Sequence, residues 1–216
     1  MAEFLGTAFL LIAVVGSGIL GERLAGGNVA IALLGNAMAT AAALFALIQW
    51  FGPLSGAHFN PLISAAIAFR GDLTWRAALA YVPVQLVGAI MGVGLADCMF
   101  DIPIFAFATQ ARHGPSQTLS EFVATFGLVG AVWTCSEIGP STLAGVVACY
   151  VGGAFWFTAT DFANPAVTIA RALTDTFSGI RASDVPCFLM AECTGALASV
   201  ILFSWLTPSK ICRSRR

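Results

Sequence analysis

Residues 55–61 read Ser-Gly-Ala-His-Phe-Asn-Pro, and the Asn60-Pro61 pair returns as Asn164-Pro165, 104 residues later. Asparagine is among the best helix N-cap residues, and proline is favoured at the first helical position, so each pair is expected to begin a helix. The cap uses the asparagine carbonyl oxygen, which leaves both side-chain N–H donors pointing away from that helix. One such pair alone would mark only a loop-to-helix boundary. Two pairs, each after a long apolar stretch, indicate a repeated structural element.

The overall composition is typical of a membrane protein. Of 216 residues, 58% are hydrophobic and only 10% are charged, whereas soluble proteins have about 25% charged residues. Ten basic and 11 acidic residues nearly cancel, so we expect no nucleic-acid partner. The six cysteines show neither a C-x-x-C motif nor zinc-ligand spacing with histidine, so we expect no metal site and no cofactor. These features nearly exclude a soluble enzyme.

The charge-free stretches predict the membrane spans, because a helix needs about 20 residues to cross about 30 Å of hydrocarbon. The apolar pieces after the two Asn-Pro pairs are only half that long, so each must enter the membrane and return. We therefore predict an all-α membrane protein with two re-entrant half-helices, at 61–69 and 165–173, and six transmembrane helices. The six are expected at 4–21, 29–51, 76–96, 118–135, 142–160 and 185–206.

An internal duplication relates the two halves. Glu3-Phe4-x-x-Thr7 recurs as Glu121-Phe122-x-x-Thr125, and Gln85-x-x-Gly88 recurs as Glu192-x-x-Gly195. Because each half holds three spans, the second copy must be inverted in the membrane. The expected divisions of one domain over 1–216 are a first repeat 1–96, a connecting loop 97–117, a second repeat 118–207 and a basic tail 208–216.

The six spans place both termini on one side of the membrane. The first span has no basic segment before it, so it is expected to be retained rather than cleaved. Basic residues favour the cytoplasmic side, and six of them share the side of the termini while four lie opposite. The six are Arg70, Arg76, Lys210, Arg213, Arg215 and Arg216, and the four are Arg23, Arg112, Arg171 and Arg181. Both termini are therefore expected to be cytoplasmic.

Two half-helices entering from opposite faces would meet near the middle of the membrane. Each helix N-terminus carries roughly half a positive charge, which repels cations. The asparagine amides of both halves would orient a water or alcohol by its oxygen and interrupt a hydrogen-bonded proton wire. The arrangement predicts a channel for neutral solutes that resists protons and cations.

With these motifs, the sequence resembles the aquaporin and aquaglyceroporin (major intrinsic protein) family over essentially its whole length. The resemblance implies a homotetramer in lipid with one pore per subunit, and a pore junction at the two Asn-Pro motifs. It also implies that Glu3 and Glu121 hold the pore-loop backbone; His58 is expected to position a loop or to contact the pore mouth. The junction residues are Asn60, Pro61, Leu62, Asn164, Pro165 and Ala166.

The sequence departs from the family pattern at the selectivity filter. By family spacing the filter positions are Thr40, Gly152, Asp161 and Val167. Val167 stands where an arginine is usual, and Thr40 and Gly152 are small, so we expect a wide constriction with few hydrogen-bond donors. Asp161 would either line the lumen or cap the loop. Leu62 replaces the usual alanine, and it either narrows the junction or simply repacks.

Residues 164–180 are similar to a bacterial branch that lacks the filter arginine, some of whose members sit with arsenic-resistance functions. This likeness implies a bacterial inner (plasma) membrane. Arg171 is expected to form a structural ion pair, with Asp175 as one candidate partner, rather than to replace the missing arginine.

The leading hypothesis is passive permeation of small uncharged solutes: glycerol-like polyols, As(OH)₃ or related metalloid hydroxides, with water as a further candidate. One alternative is an inverted-repeat secondary transporter that uses intramembrane glutamates, namely Glu3, Glu121 or Glu192. The other is a closed structural or sensor tetramer.

Overall fold

A computed structural model describes residues 1–158 and 161–207 of the chain. The described residues form eight α-helices, six of them long and apolar enough to cross a membrane. All six predicted spans and both predicted half-helices are therefore confirmed as helices; the second half-helix ends at Arg171 rather than at 173, and residues 159–160 of the predicted span 142–160 lie outside the described residues. The long helices are α1 (Ala2–Leu24), α2 (Val29–Ser55), α4 (Trp75–Met99), α5 (Pro115–Cys135), α6 (Pro140–Phe157) and α8 (Val185–Leu206); the half-helices are α3 (Pro61–Arg70) and α7 (Pro165–Arg171).

The helix α2 is longer than predicted. The sequence placed its end near residue 51, because Gly52 and Pro53 follow, but the helix continues through Pro53 to Ser55. Proline removes one backbone donor without preventing the following residues from staying helical. The helix ends instead at Gly56, which adopts φ +87° and donates its N–H to the carbonyl of Gly52. Glycine tolerates this left-handed conformation, so it forms the true C-terminus.

Equivalent close helix crossings relate the two halves. The helix α1 packs against α4, and α5 packs against α8. A Cβ built on Gly88 would lie 2.4 Å from the carbonyl oxygen of Phe4, and one built on Gly195 would lie 2.4 Å from that of Phe122. Small residues are required where helix backbones approach this closely. The repeated sequence motif therefore corresponds to a repeated contact between two helices, α1 with α4 and α5 with α8.

The half-helices α3 and α7 contact each other inside the bundle. Large apolar side chains such as Leu79, Leu197 and Trp205 are exposed on the outside, as expected for a surface that faces lipid. The protein is therefore a multi-pass membrane protein. The predicted basic tail, 208–216 with Lys210, Arg213, Arg215 and Arg216, lies outside the described residues.

Candidate solute pathway

The side chains of Asn60 and Asn164 connect the two half-helices. The Oδ1 atom of Asn60 accepts a hydrogen bond from the backbone N–H of Leu62 at 2.9 Å, and Oδ1 of Asn164 accepts one from Ala166 at 3.1 Å. The Nδ2 atom of Asn60 donates to the carbonyl of Ala163 at 2.8 Å. These contacts make Asn60 and Asn164 N-caps of α3 and α7.

The reciprocal bond completes the junction. Nδ2 of Asn164 donates to the carbonyl of Phe59, also at 2.8 Å. Each asparagine amide thus donates to the residue that precedes the other asparagine. An amide nitrogen has two N–H groups, so one donor of each asparagine is used between the loops. Both donors were expected to point away from their own helix; one of them binds the opposite loop, and the other is left for a further partner.

The two loops before the asparagines share an unusual backbone pattern. Ala57 and Phe59 have φ of +51° and +50°, and their counterparts Asp161 and Ala163 have +46° and +43°. Residues other than glycine rarely adopt such angles, and they persist only where the surroundings hold them. The loops are therefore strained in the same places, and both need external support.

Glu3 supports the first loop. Its Oε1 accepts from the hydroxyl of Ser55 and from the backbone N–H of His58, and its Oε2 accepts from the backbone N–H of Phe59 and the side chain of Gln85, all within 2.6–3.0 Å. The Glu3 side chain is buried. A buried carboxylate with four donors has its hydrogen-bonding capacity satisfied inside the protein.

Glu121 contacts the second loop in the same way. Its Oε2 accepts from the backbone N–H groups of Phe162 at 3.2 Å and Ala163 at 3.0 Å. In the first loop, the His58 ring adds a contact between Nδ1 and the hydroxyl of Ser64 at 3.0 Å. The structure therefore brings Glu3 and Glu121 against the backbone of the two loops, and it places the His58 ring against Ser64 of α3.

A cavity of about 250 Å³ runs past the junction. Both Asn60 and Asn164 line it, together with Thr40, Asp161 and Val167. Most of the remaining wall is apolar, and His58, Arg70 and Ser136 supply further polar atoms. The structure thus gathers three of the four expected filter residues and both asparagines around one space.

Gly152 requires a correction. The predicted filter position does not face the cavity: a Cβ built on Gly152 would lie 3.1 Å from Cβ of Ala41 on α2. The residues of α6 that line the cavity are Val151 and Phe155, with Leu143 and Val147 along the same face. Successive residues of a helix point about 100° apart. An alignment that is wrong by one position therefore selects a residue that faces α2 instead of one that faces the cavity.

Two polar atoms of the cavity wall are buried and have no hydrogen-bond partner within the described part of the chain. They are Oγ1 of Thr40 and Oδ1 of Asp161. The Asp161 backbone N–H donates to the hydroxyl of Thr158 at 3.0 Å, so this residue both makes a loop contact and lines the cavity. Leu62 packs against the hydrophobic core, which favours the repacking alternative.

Arg171 does not pair with Asp175 as suggested. Its Nε donates to the carbonyl of Ser178, and its guanidinium lies 3.6 Å from the centre of the Phe162 ring. Asp175 instead accepts from the backbone and hydroxyl of Thr109, at 2.8 and 2.9 Å. Thr109 lies in the long loop between α4 and α5, and no local sequence pattern indicates that it binds Asp175. The suggested ion pair between Arg171 and Asp175 was therefore wrong.

Arg112, from the loop between α4 and α5, has its guanidinium carbon 5.4 Å from the centre of the Phe162 ring. It donates through Nε to the carbonyl of Gly179 and through a terminal nitrogen to that of Phe177. Burial lowers the pKa of Arg112 to about 10, and the negative charge of Glu121 opposes this decrease. Arg112 therefore remains charged at neutral pH.

Arg70 is a cavity residue that the sequence did not indicate. It was counted as a cytoplasmic loop cation, but it ends α3, is only 4% exposed and lines the cavity. It forms an ion pair with Asp72 and donates to the carbonyl of Trp133 at 2.9 Å. Its place in the last turn of a half-helix was the available signal.

Within 1–158 and 161–207, no cluster of three or more metal-ligating side chains occurs.

Comparison with known proteins agrees with this architecture. Residues 1–160 match the major intrinsic protein family. The chain is 48% identical over 207 residues to aquaglyceroporin AqpS of Rhizobium meliloti (strain 1021), covering 95% of this chain and 88% of that protein. It is 29% identical over 213 residues to aquaporin NIP1-4 of Oryza sativa subsp. japonica, covering 94% and 75%.

A solved structure supports the fold. The X-ray structure of the aquaglyceroporin from Plasmodium falciparum aligns with a TM-score of 0.75 at 20% identity, covering 97% of this chain and 96% of that one. At this identity the likeness concerns the fold alone.

Proposed function

Because this chain belongs to the major intrinsic protein family, it is a passive channel rather than an enzyme, and we propose that it conducts small uncharged hydroxylated solutes. The proposed class comprises glycerol-like polyols and As(OH)₃ or related metalloid hydroxides, with water as a smaller permeant. The crossed asparagine junction carries this proposal. It ties the two half-helices together and leaves one N–H of each asparagine for a solute oxygen.

The junction also accounts for cation exclusion in this proposal. The N-termini of α3 and α7 bring partial positive charge to the same point of the cavity. A solute that accepts hydrogen bonds from both asparagines has its oxygen directed at the junction, so its own hydrogens point away along the pore. A chain of proton transfers cannot continue through such a molecule. Neutral molecules pass, whereas protons and metal cations are disfavoured.

The residues at the expected filter favour solutes with several hydroxyl groups. Thr40 and Asp161 line the cavity, and each has a buried oxygen atom without a hydrogen-bond partner within the described part of the chain; in this proposal a polyol hydroxyl reaches these atoms as it passes. Val167 adds an apolar surface in place of a cation. Such a combination suits a solute with hydroxyls on one side and carbon on the other. The name of the relative AqpS, an aquaglyceroporin, supports glycerol as a permeant.

As(OH)₃ fits the same description. It is a neutral molecule of about the size of glycerol with three hydroxyl groups, so its demands on the cavity wall are similar. The cavity of about 250 Å³ has room for either solute. We therefore propose metalloid hydroxides as a second permeant class that uses the same oxygen atoms.

A proton-coupled transporter is not favoured. Glu3 accepts four hydrogen bonds, and Glu121 accepts two from backbone N–H groups. A carboxylate that carries a proton through each cycle would have to release such partners repeatedly. The observed contacts suit a fixed support for strained loops.

Osmotic measurements on proteoliposomes test the proposal. After a shock with glycerol, vesicles with the protein should shrink and then recover volume faster than empty vesicles, whereas a sucrose shock should give no recovery. An arsenite gradient should give faster arsenic entry, measured by elemental analysis. Glycerol recovery no faster than in empty vesicles would contradict the proposed solute class, and uphill uptake driven by a proton gradient would contradict passive conduction.

Assembly and location are proposed on the resemblance and on the span count. We propose a homotetramer, to be checked by native mass spectrometry in detergent. We also propose the inner membrane with both termini cytoplasmic, to be checked with a reporter fused after residue 216 that is active on one side only. The division into repeats 1–96 and 118–207 remains part of this proposal; the structure ends α4 at Met99 and begins α5 at Pro115.

A further inference from the structure

The two halves place different residues at one equivalent buried position. On α4 this residue is Gln85, and on α8 it is Glu192. Each side chain lies next to a hydroxyl of the half-helix in its own repeat, Ser64 on α3 or Thr168 on α7. Both Gln85 and Glu192 are fully buried. The pair therefore shows how one structural role is filled by an amide and by a carboxyl group.

In the first half the amide acts as a donor. Nε2 of Gln85 donates to Oε2 of Glu3 at 2.8 Å and to the hydroxyl of Ser64 at 3.0 Å. Glu3 in turn holds the backbone N–H groups of the first pore loop. Gln85 is thus a bridge between the loop-supporting carboxylate and the half-helix.

In the second half the bridge is incomplete if Glu192 is ionised. Thr168 donates its hydroxyl to Oε1 of Glu192 at 2.5 Å. Oε2 of Glu192 is buried and has no hydrogen-bond partner among residues 1–158 and 161–207. An ionised carboxylate only accepts hydrogen bonds, so it cannot donate to Glu121 as Gln85 donates to Glu3. A protonated carboxyl group has the required O–H.

The surrounding charges also favour a neutral Glu192. The carboxyl group interacts electrostatically with Glu121 of α5 and Asp161 of the second loop, both acidic, and with Arg171 of α7; on its own helix it influences the thiol of Cys193. The cations near these groups are Arg171, which acts on both Glu121 and Asp161, and Arg112, which acts on Glu121. An ionised Glu192 would add a buried negative charge beside two acidic groups that already share these cations, which is unfavourable.

We propose that Glu192 is a neutral carboxylic acid that donates a hydrogen bond toward Glu121, as Gln85 does toward Glu3, and thereby positions the second pore loop. Glu192 is a positioning residue, since it acts through Glu121 and Thr168 rather than on the solute. Loss of its proton places a third negative charge beside Glu121 and Asp161 and loosens the loop. Conduction is then expected to fall as the pH rises.

Infrared spectroscopy tests the protonation state independently of transport. The wild-type protein at neutral pH should show the carbonyl stretch of a buried protonated carboxylic acid, and the difference spectrum against Glu192→Gln should show that this band is lost. The absence of such a band in the difference spectrum overturns the proposal. This readout does not depend on the solute, so it stands even if the proposed function fails.

Flux measurements test the positioning role, and this part rests on the proposed function. Glu192→Gln keeps a neutral donor, so glycerol flux at neutral pH should stay within about twofold of wild type, whereas Glu192→Ala should reduce it about fivefold, the effect of one hydrogen bond. Flux through the wild type should decrease at alkaline pH, and flux through Glu192→Gln should not. The proposal is overturned if Glu192→Gln is as impaired as Glu192→Ala, or if both wild type and Glu192→Gln lose flux equally as pH rises.

Glu121→Gln provides the matched comparison. Glu121 uses its carboxylate oxygens to accept from the backbone N–H groups of Phe162 and Ala163. Replacing one oxygen by an NH₂ group sets a donor against these donors, so this variant should lose flux or folded yield. Two neighbouring buried glutamates should thus respond to the same substitution in opposite ways. Equal tolerance of glutamine at both positions would contradict the assigned roles.

Discussion

Asn60 and Asn164 each donate a side-chain hydrogen bond, at 2.8 Å, to the backbone carbonyl of the residue that precedes the other asparagine. The same side chains cap α3 and α7 through their Oδ1 atoms. Each asparagine therefore uses its acceptor within its own half and one donor across the junction. Both functions require an amide, because neither a carboxylate nor an alcohol supplies an acceptor and two N–H donors.

Asn60→Asp separates these functions. The carboxylate can still cap α3, but it sets an oxygen against the carbonyl of Ala163, so we expect a destabilisation of about 1–3 kcal/mol and at least a tenfold loss of glycerol flux. The matched control is Asn28→Asp, because Asn28 caps α2 only as an acceptor, toward the N–H groups of Ala30 and Ile31. Thermal unfolding in detergent and proteoliposome flux measure both effects. Wild-type flux in Asn60→Asp would refute the role of the crossed bond.

Val167→Arg restores a cation where the cavity wall is apolar. The long side chain should narrow the passage and reduce glycerol flux more than water flux, since the larger solute loses more of its clearance. Val167→Leu serves as the control, because it adds bulk without charge. Stopped-flow light scattering with glycerol and with an impermeant osmolyte gives the two rates. Equal reductions for glycerol and water would mean that Val167 does not line the constriction.

Thr40→Val tests the proposed hydroxyl contact. The Oγ1 atom of Thr40 has no partner within the described part of the chain, so its removal should leave the melting temperature unchanged or slightly higher. Glycerol flux should fall severalfold, because a solute acceptor is lost. The control is Thr125→Val, whose hydroxyl donates to the carbonyl of Glu121 at 2.9 Å within α5. Thr40→Val with full glycerol flux would remove Thr40 from the solute path.

Gly195→Ala tests the close crossing of α5 and α8. The added Cβ would lie 2.4 Å from the carbonyl oxygen of Phe122, so the helices must separate, at a cost of about 1–3 kcal/mol. Gly35→Ala on α2 is the control, since a Cβ there meets no atom within 4 Å; it should stabilise the helix by roughly 1 kcal/mol. The two melting temperatures should move in opposite directions. If they fall together, the crossing is not the cause.

The fold was largely predictable because its decisive signals are local. The length of a charge-free stretch predicts a span, and Asn-Pro predicts a helix start, so both half-helices were placed correctly at Pro61 and Pro165. The sequence repeat also placed Gly88 and Gly195 at equivalent positions, and the structure shows that both lie at close helix crossings. The end of α2 was less accurate, because Pro53 interrupts the hydrogen-bond pattern without ending the helix.

The site was less predictable because its contacts join distant parts of the chain. The crossed bond of Asn60 reaches a carbonyl 103 residues away, and no local pattern names that partner. Gly152 illustrates a rotational error, since one position along α6 separates a residue that faces the cavity from one that faces α2. Arg171 shows the effect of contacts with distant loops, which the sequence does not reveal. Its surroundings include Phe162 and Arg112 rather than Asp175.

The most direct test of the account is an experimental structure that resolves ordered solvent or bound glycerol beside Asn60 and Asn164. The account predicts a water or glycerol oxygen at about 3 Å from the Nδ2 atoms of both asparagines, within a passage that continues past Thr40 and Val167. A junction in which protein atoms fill this position, so that no oxygen can reach either amide, would contradict it.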